Sequence, residues 1–168
     1  DDTFGEQFNP NDEMIGGKLS LVSQWSDDVN IYASIGRGYK AGGFNLGTGF
    51  SNDQYADTLI YNPEYLWNYE LGINKQFGNS NTNLDAVVFY SDRKDQQVMA
   101  STQVDANDPN TFTFLTQNAA SGNNYGLELS VKSNPTDSLN LFASIGLLKT
   151  EVNYLDTSNA QNGRAQAH

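Results

Sequence analysis

The stretch Pro63-Glu64-Tyr65-Leu66-Trp67-Asn68-Tyr69-Glu70-Leu71-Gly72-Ile73-Asn74-Lys75-Gln76-Phe77 alternates with a period of two. Tyr65, Trp67, Tyr69, Leu71, Ile73 and Phe77 fall on one side, and Leu66, Asn68, Glu70, Gly72, Asn74 and Gln76 on the other. Successive side chains of a strand point to opposite faces, so this reads as a strand with one apolar and one largely polar face. The apolar side is itself graded: aromatics, then an aliphatic centre, then an aromatic end. That grading is the profile of a strand crossing a bilayer, with rings at both interfaces and aliphatic carbon between them.

Five further segments repeat the pattern. Strands are expected near 17–25, 29–39, 83–99, 118–133 and 139–154, together with 65–77. Leu19, Leu21 and Trp25 share a face in the first, and Val29, Ile31, Ala33, Ile35 and Tyr39 in the second. Tyr125, Leu127, Leu129 and Val131 alternate with Gly126, Glu128, Ser130 and Lys132, and Leu139, Leu141, Ala143, Ile145 and Leu147 share a side. At Ala86-Val87-Val88-Phe89-Tyr90 both faces are apolar, so the sequence leaves the inward set of that strand open. Trp25 and Phe77 each stand beside a short turn and are expected to mark one membrane level.

The connections alternate in length. Ser26-Asp27-Asp28, Gly78-Asn79-Ser80 and Asn134-Pro135-Thr136-Asp137-Ser138 carry tight-turn residues, whereas 40–64 and roughly 100–117 are long and polar. Short turns on one rim and long loops on the other are how a bacterial barrel is strung. Charge placement agrees: Glu70, Asp85, Glu128 and Lys132 have the polar-face parity, while Arg37 and Lys75 have the apolar parity near strand ends. There long side chains can reach an interface. The fold class is therefore all-β, an antiparallel up-and-down meander of about six strands belonging to a large transmembrane barrel.

Composition narrows function. With no cysteine and a single histidine, His168 at the end, thiolate zinc sites, disulfide frameworks and Ser-His-Asp chemistry are removed, and no enzyme is expected. A formal charge of -11 argues against nucleic acid, which needs clustered cations. A mean hydropathy of -0.57 beside 12% aromatic residues suits strands with one lipid and one wet face. No cofactor or metal is implied. The run from Gly36 to Gly43 matches neither nucleotide fingerprint and precedes no helical pattern. Asp53 with Asp57, and Asp105 with Asp108, lack calcium-loop spacing and read as solvated acidic loops.

Three blocks carry a family resemblance. Ile31-Tyr32-Ala33-Ser34 followed by Gly36-Arg37-Gly38-Tyr39-Lys40-Ala41-Gly42-Gly43-Phe44-Asn45 is similar to a strand of TonB-dependent receptors that exits into a Gly-rich loop. Pro63 to Gly72 resembles the family's next strand, and Asn118-Ala119-Ala120 with Tyr125-Gly126-Leu127-Glu128-Leu129 resembles the one opening the third hairpin. The resemblance implies a Gram-negative outer-membrane barrel closed by an N-terminal plug and energised through TonB, ExbB and ExbD. Its ligand would be a scarce nutrient such as a ferric siderophore. Such a barrel needs about 22 strands, so the chain is expected to be an interior slice, without plug or TonB-contacting segment.

Glu70, Glu128, Lys132 and Asp85 are then the candidate lumen-facing polar residues, with Arg37, Lys132 or plug residues as partners for the two glutamates. Lys40, Phe44, Asn45, Tyr55 and Tyr61 are the candidate extracellular loop contacts for a small-molecule substrate, weighed against simple loop packing. Two rivals stay open: a soluble antiparallel binding module of carbohydrate-binding or adhesin type, in which the aromatic face would be core, and a passive porin.

Overall fold

In the computed structural model, which describes residues 12–45, 59–78, 81–103, 107, 108, 110 and 112–155, every alternating segment is a strand. β1 (Gly17–Ser26), β2 (Val29–Lys40), β5 (Glu64–Phe77), β6 (Thr82–Gln103), β7 (Phe112–Thr136) and β8 (Leu139–Leu155) form one six-stranded sheet. Its spatial order is β1-β2-β5-β6-β7-β8, and every neighbouring pair is antiparallel. β3 (Gly43–Phe44) and β4 (Ile60–Tyr61) form a short ribbon within the long connection between β2 and β5. The sequence gives no sign of that ribbon, which is too short to show a period.

Register carries the apolar face unbroken across the sheet. Leu21, Ala33, Leu71, Val88, Leu127 and Leu147 form one row, and Leu19, Ile35, Tyr69, Tyr90, Tyr125 and Lys149 the row above it. The inward set of β6 is thereby settled: Leu84, Ala86, Val88 and Tyr90 lie on the apolar face, and Asp85, Val87, Phe89 and Ser91 on the polar one. Leu71 is 52% and Ile73 39% exposed, and Leu127 and Leu129 are half-buried only by neighbours in the same sheet. Among the described residues no second layer packs on this face. A soluble module would bury such a face in its own core; a contiguous apolar surface of this extent needs a non-aqueous phase or a partner.

Three boundaries differ from the sequence reading. The polar stretch 100–117 is mostly strand: β6 runs 22 residues and β7 25, against the roughly 9–11 that cross a bilayer. Both therefore project beyond the neighbouring strands on the long-loop rim as one hairpin. Its outer part shows no sustained alternation; pairing with the partner strand, and contact with the β2–β5 connection at Leu115, Ala119 and Ala120, hold it. Trp25, expected on one face with Leu19 and Leu21, falls at a bulge where the register shifts between Gln24 and Ser26, so it has no paired residue of its own on β2. A second irregularity, between Arg93 and Gln97, places Asp95 at φ 54°, a left-handed conformation that Asp tolerates.

The tight turns are all at the opposite rim. Asp27-Asp28 and Asp137-Ser138 each join two strands through two residues, and Asn81, at φ 45°, closes the β5–β6 turn. Neighbouring turns are tied: Gln76 N-H donates to the Asp28 carbonyl at 2.8 Å, and Asn134 N-H to that of Asn81 at 3.2 Å. The buried apolar residues are Leu115, Ala119 and Ala120. All three lie on the projecting part of β7, where the connection between β2 and β5 is bonded to the hairpin.

Candidate functional site

The polar face holds a chain of side-chain hydrogen bonds centred on Glu70. Its carboxylate accepts from Asn68 Nδ2 at 2.7 Å and from Ser34 Oγ at 3.2 Å, and Lys18 Nζ stands 3.7 Å away. Ser91 Oγ donates to Asn68 Oδ1 at 2.6 Å, which carries the chain onto β6. Four adjacent strands are thus stitched by residues of one parity, as the alternation requires. The expectation that Arg37 or Lys132 would serve Glu70 is corrected: the cation beside it is Lys18 of β1, and Arg37 stands on the other face over the Tyr65 ring.

One row below, Tyr32 is paired with Gly72, and its ring occupies the space a Cβ at Gly72 would need. Phe89 likewise lies over Gly126 of β7. Large rings on the polar face are accommodated because the strand beside each offers a glycine, an arrangement that also shields the bare backbone. Asp85 accepts from Asn74 Nδ2 at 2.6 Å. Glu128 and Lys132 are exposed on the same face and have no hydrogen-bond or ion-pair partner among the described residues. Glu70 and Glu128 stand on β5 and β7 with β6 between, roughly 10 Å apart laterally. Asp85 and Lys132 lie in the rows below, so the four polar candidates share one face, graded from a satisfied carboxylate to two open charges.

At the long-loop rim the connection between β2 and β5 is bonded to the β6–β7 hairpin by carboxamides. Asn118 Nδ2 donates to the carbonyls of Asn62 at 2.8 Å and Asp95 at 2.7 Å, and its Oδ1 accepts from Asn62 N-H at 2.6 Å. Gln97 Nε2 donates to the carbonyls of Ala41 at 2.8 Å and Asn62 at 3.1 Å, and Gln97 N-H to Glu64 Oε2 at 2.9 Å. Arg93 Nε lies 3.4 Å from Glu64 Oε1. Asn118, Gln97 and Glu64 were not singled out by sequence reasoning, because their partners lie 23 to 56 residues away.

The loop candidates are distributed unevenly. Asn45 is 7% exposed. Its Nδ2 donates to the Thr116 carbonyl and its Oδ1 accepts from Thr116 N-H, both at 2.8 Å, while its own N-H donates to the Leu59 carbonyl. β8 ends opposite Ala120, so this amide caps the edge of β7 beyond it. Tyr61 packs its ring over Gly43, and Phe44, paired with Ile60, is 37% exposed. Lys40 is exposed at the end of β2 opposite Glu64. Tyr55 lies outside the described residues, as do Asp53, Asp57 and Asp105; the Asp108 carboxylate accepts from Asn110 N-H at 2.9 Å in a local turn.

Beyond the apolar belt on β8, Lys149 Nζ lies 2.6 Å from Glu151 Oε1, which also accepts from the Tyr125 hydroxyl at 3.0 Å. The hydrogen bond from Lys149, then that from Tyr125, holds the Glu151 carboxyl below its ordinary range, and the bond to Glu151 raises Lys149.

The family described as TonB dependent receptor-like, beta-barrel, matches residues 1–167. A pesticin receptor of Yersinia enterocolitica is 33% identical over 95 residues, covering 56% of this chain and 13% of that protein. The pesticin receptor of Yersinia pestis is 32% identical over the same length and shares. The chain thus spans about an eighth of these relatives. The crystal structure of the ferric yersiniabactin uptake receptor FyuA from Yersinia pestis superposes with a TM-score of 0.67 at 24% identity, covering 90% of this chain and 21% of that one. That superposition shows a shared fold.

Proposed function

This chain belongs to the TonB-dependent receptor β-barrel family, and from that premise we propose that it contributes wall and extracellular loop to an outer-membrane receptor for active uptake of a scarce nutrient, a ferric siderophore being the favoured class. The family is one of outer-membrane barrels. The observation that carries the proposal is the division of the sheet into a continuous aromatic-aliphatic face and a hydrogen-bonded polar face. The first suits lipid and the second a wet lumen.

On this reading Glu70, Asp85, Glu128 and Lys132 face the lumen. Glu128 and Lys132, which have no partner within the described sheet, are the groups open to a plug or a passing ligand, while Glu70 already has three neighbours. Lys40 and Phe44 are presented toward the outside; Asn45 and Tyr61 act by fixing the loop that carries them. Force reaches the receptor from TonB, ExbB and ExbD through a plug. Similarity in fold to the ferric yersiniabactin uptake receptor supports the siderophore class. A passive porin would share the wall, but no observation on the sheet favours it over the family match.

The test is uptake by the full-length receptor in a strain lacking its own siderophore receptors. Labelled ferric siderophore should accumulate only with TonB present and the inner membrane energised. Accumulation that survives deletion of TonB would establish passive entry instead.

A further inference from the structure

Arg37 is a cation on the apolar face. It pairs with Trp67, one row above the aromatic row of Ile35, Tyr69, Tyr90 and Tyr125. Its guanidinium carbon lies 4.5 Å from the centroid of the Tyr65 ring and 5.7 Å from that of Trp67. The two other cations at this end of the face have carboxylates: Lys94 lies 3.8 Å from Asp92, and Lys149 2.6 Å from Glu151. Arg37 has none among the described residues, and its Nε is enclosed without an acceptor. Both flanking strands are in place, and the residues opposite Arg37 are Gly17 on β1 and Trp67 on β5. The carboxylates of this row, Asp92 and Glu151, stand two and four strands away and are engaged by Lys94 and Lys149, so among the described residues none is left for Arg37, and the open source of counter-charge is the phase the face touches.

We propose that Arg37, held by Tyr65 and Trp67, binds the phosphate of an anionic glycolipid in the outer leaflet. The long-loop rim is the extracellular one, which places this row at the outer headgroup level. A cation is costly at the bilayer midplane and far less so near the interface. The planar guanidinium matches a phosphate bidentately and stacks on aromatic faces at the same time, which an ammonium does not. Two rings under one face hold the fork in place before the lipid arrives, so less freedom is lost on binding.

The inference rests on the apolar face being the lipid-facing one. Its test uses the full-length receptor in phosphatidylcholine nanodiscs doped with bis-phosphorylated lipid A or with the dephosphorylated glycolipid, and native mass spectrometry counts the glycolipid retained. The unmodified receptor should retain the phosphorylated form in preference. Arg37→Gln should lose roughly five- to tenfold of that preference, the worth of one charge-assisted contact at a partly wet site, and Arg37→Lys should fall between. Equal retention of both glycolipids by the unmodified receptor overturns the proposal, and that comparison needs no variant to fold. Displacement of the glycolipid by millimolar inorganic phosphate overturns it too, by showing a free-anion site. If the receptor is absent from detergent-extracted outer membrane the membrane reading fails first; if it is present and shows no preference, only this inference falls.

Discussion

The ring of Tyr32 lies across Gly72 of the neighbouring strand so closely that a Cβ at residue 72 would overlap it. Every atom in the way belongs to the Tyr32 side chain. At Gly126 the nearest obstacle is the backbone carbonyl of Leu147, with Phe89 Cζ next at 2.8 Å.

These two glycines should respond differently to the same change. Gly72→Ala should destabilise the full-length receptor by about 1–3 kcal/mol, as overpacking does, and Tyr32→Ala in the same chain should recover most of that loss. Gly126→Ala should cost more and should not be recovered by Phe89→Ala, because the backbone of β8 cannot be trimmed. Urea unfolding in vesicles of the two glycine variants, the two ring variants and the two doubles measures both couplings, and equal recovery at the two sites would contradict the geometry.

Asn45 gives the loop its hold on β7. Asn45→Ala removes both bonds to Thr116 and should speed amide hydrogen exchange at Thr116 at least about tenfold, the local equivalent of one or more hydrogen bonds of roughly 1–1.5 kcal/mol. Asn45→Asp keeps the acceptor for Thr116 N-H and should protect that amide better than alanine does. Exchange at Leu71, far down the sheet, should not change in either variant.

Glu70 separates hydrogen bonding from charge. Glu70→Gln keeps an acceptor for Asn68, lets the Ser34 hydroxyl turn to accept from the new amide, and gives up the pair with Lys18, which is 60% exposed; exposed pairs contribute about 0–1 kcal/mol. Thermal stability should therefore be nearly unchanged, whereas Glu70→Ala, which strands Asn68 and Ser34 without an acceptor, should cost about 1–3 kcal/mol. Siderophore uptake at equal receptor abundance then reports whether the charge itself is used in transport.

The cluster at the outer end of β8 predicts a pH response. Glu151 titrates below its ordinary 4.5, so its contribution to stability is complete above that value and is lost as pH falls through the lowered pKa. Lys149 is raised above its ordinary 10.5, so its contribution is complete below 10.5 and disappears only in strong alkali. Lys149→Met should return the Glu151 carboxyl toward 4.5, measured by carbon-detected NMR titration, and high salt should shrink the displacement because both groups are solvated. A Glu151 titration indifferent to Lys149 would show that the pair does not form in solution.

Much of this arrangement was legible in the sequence wherever one face meets an apolar phase. From Tyr65 to Phe77, and from Tyr125 to Val131, parity alone assigns each side chain to the face it occupies. Legibility fails where both faces are alike. Val87 and Phe89 hide the parity of β6 because they are apolar residues on the polar face, tolerated only because Gly126 sits opposite Phe89, and that requires the register. The projecting β6–β7 hairpin reads as loop because its sequence is mostly polar and keeps no sustained period. Asn45 and Asn118 look like ordinary loop amides; their partners at Thr116 and Asn62 stand 71 and 56 residues away, beyond any local pattern. The open charges of Glu128 and Lys132 could be placed on a face, but that they lack partners in the sheet while Glu70 has them could be learned only from the coordinates.

The join between the β2–β5 connection and the hairpin is made mostly of carboxamides gripping main-chain groups, with the Glu64 carboxylate, which holds the Gln97 N-H and stands beside Arg93, as its one acidic part. Amides neither gain nor lose protons over the range a bacterium meets, and neutral dipoles are little affected by dissolved ions. On the extracellular placement proposed above, a joint braced this way is expected to hold its shape over a wide range of salt, and to feel acid only through that one carboxylate.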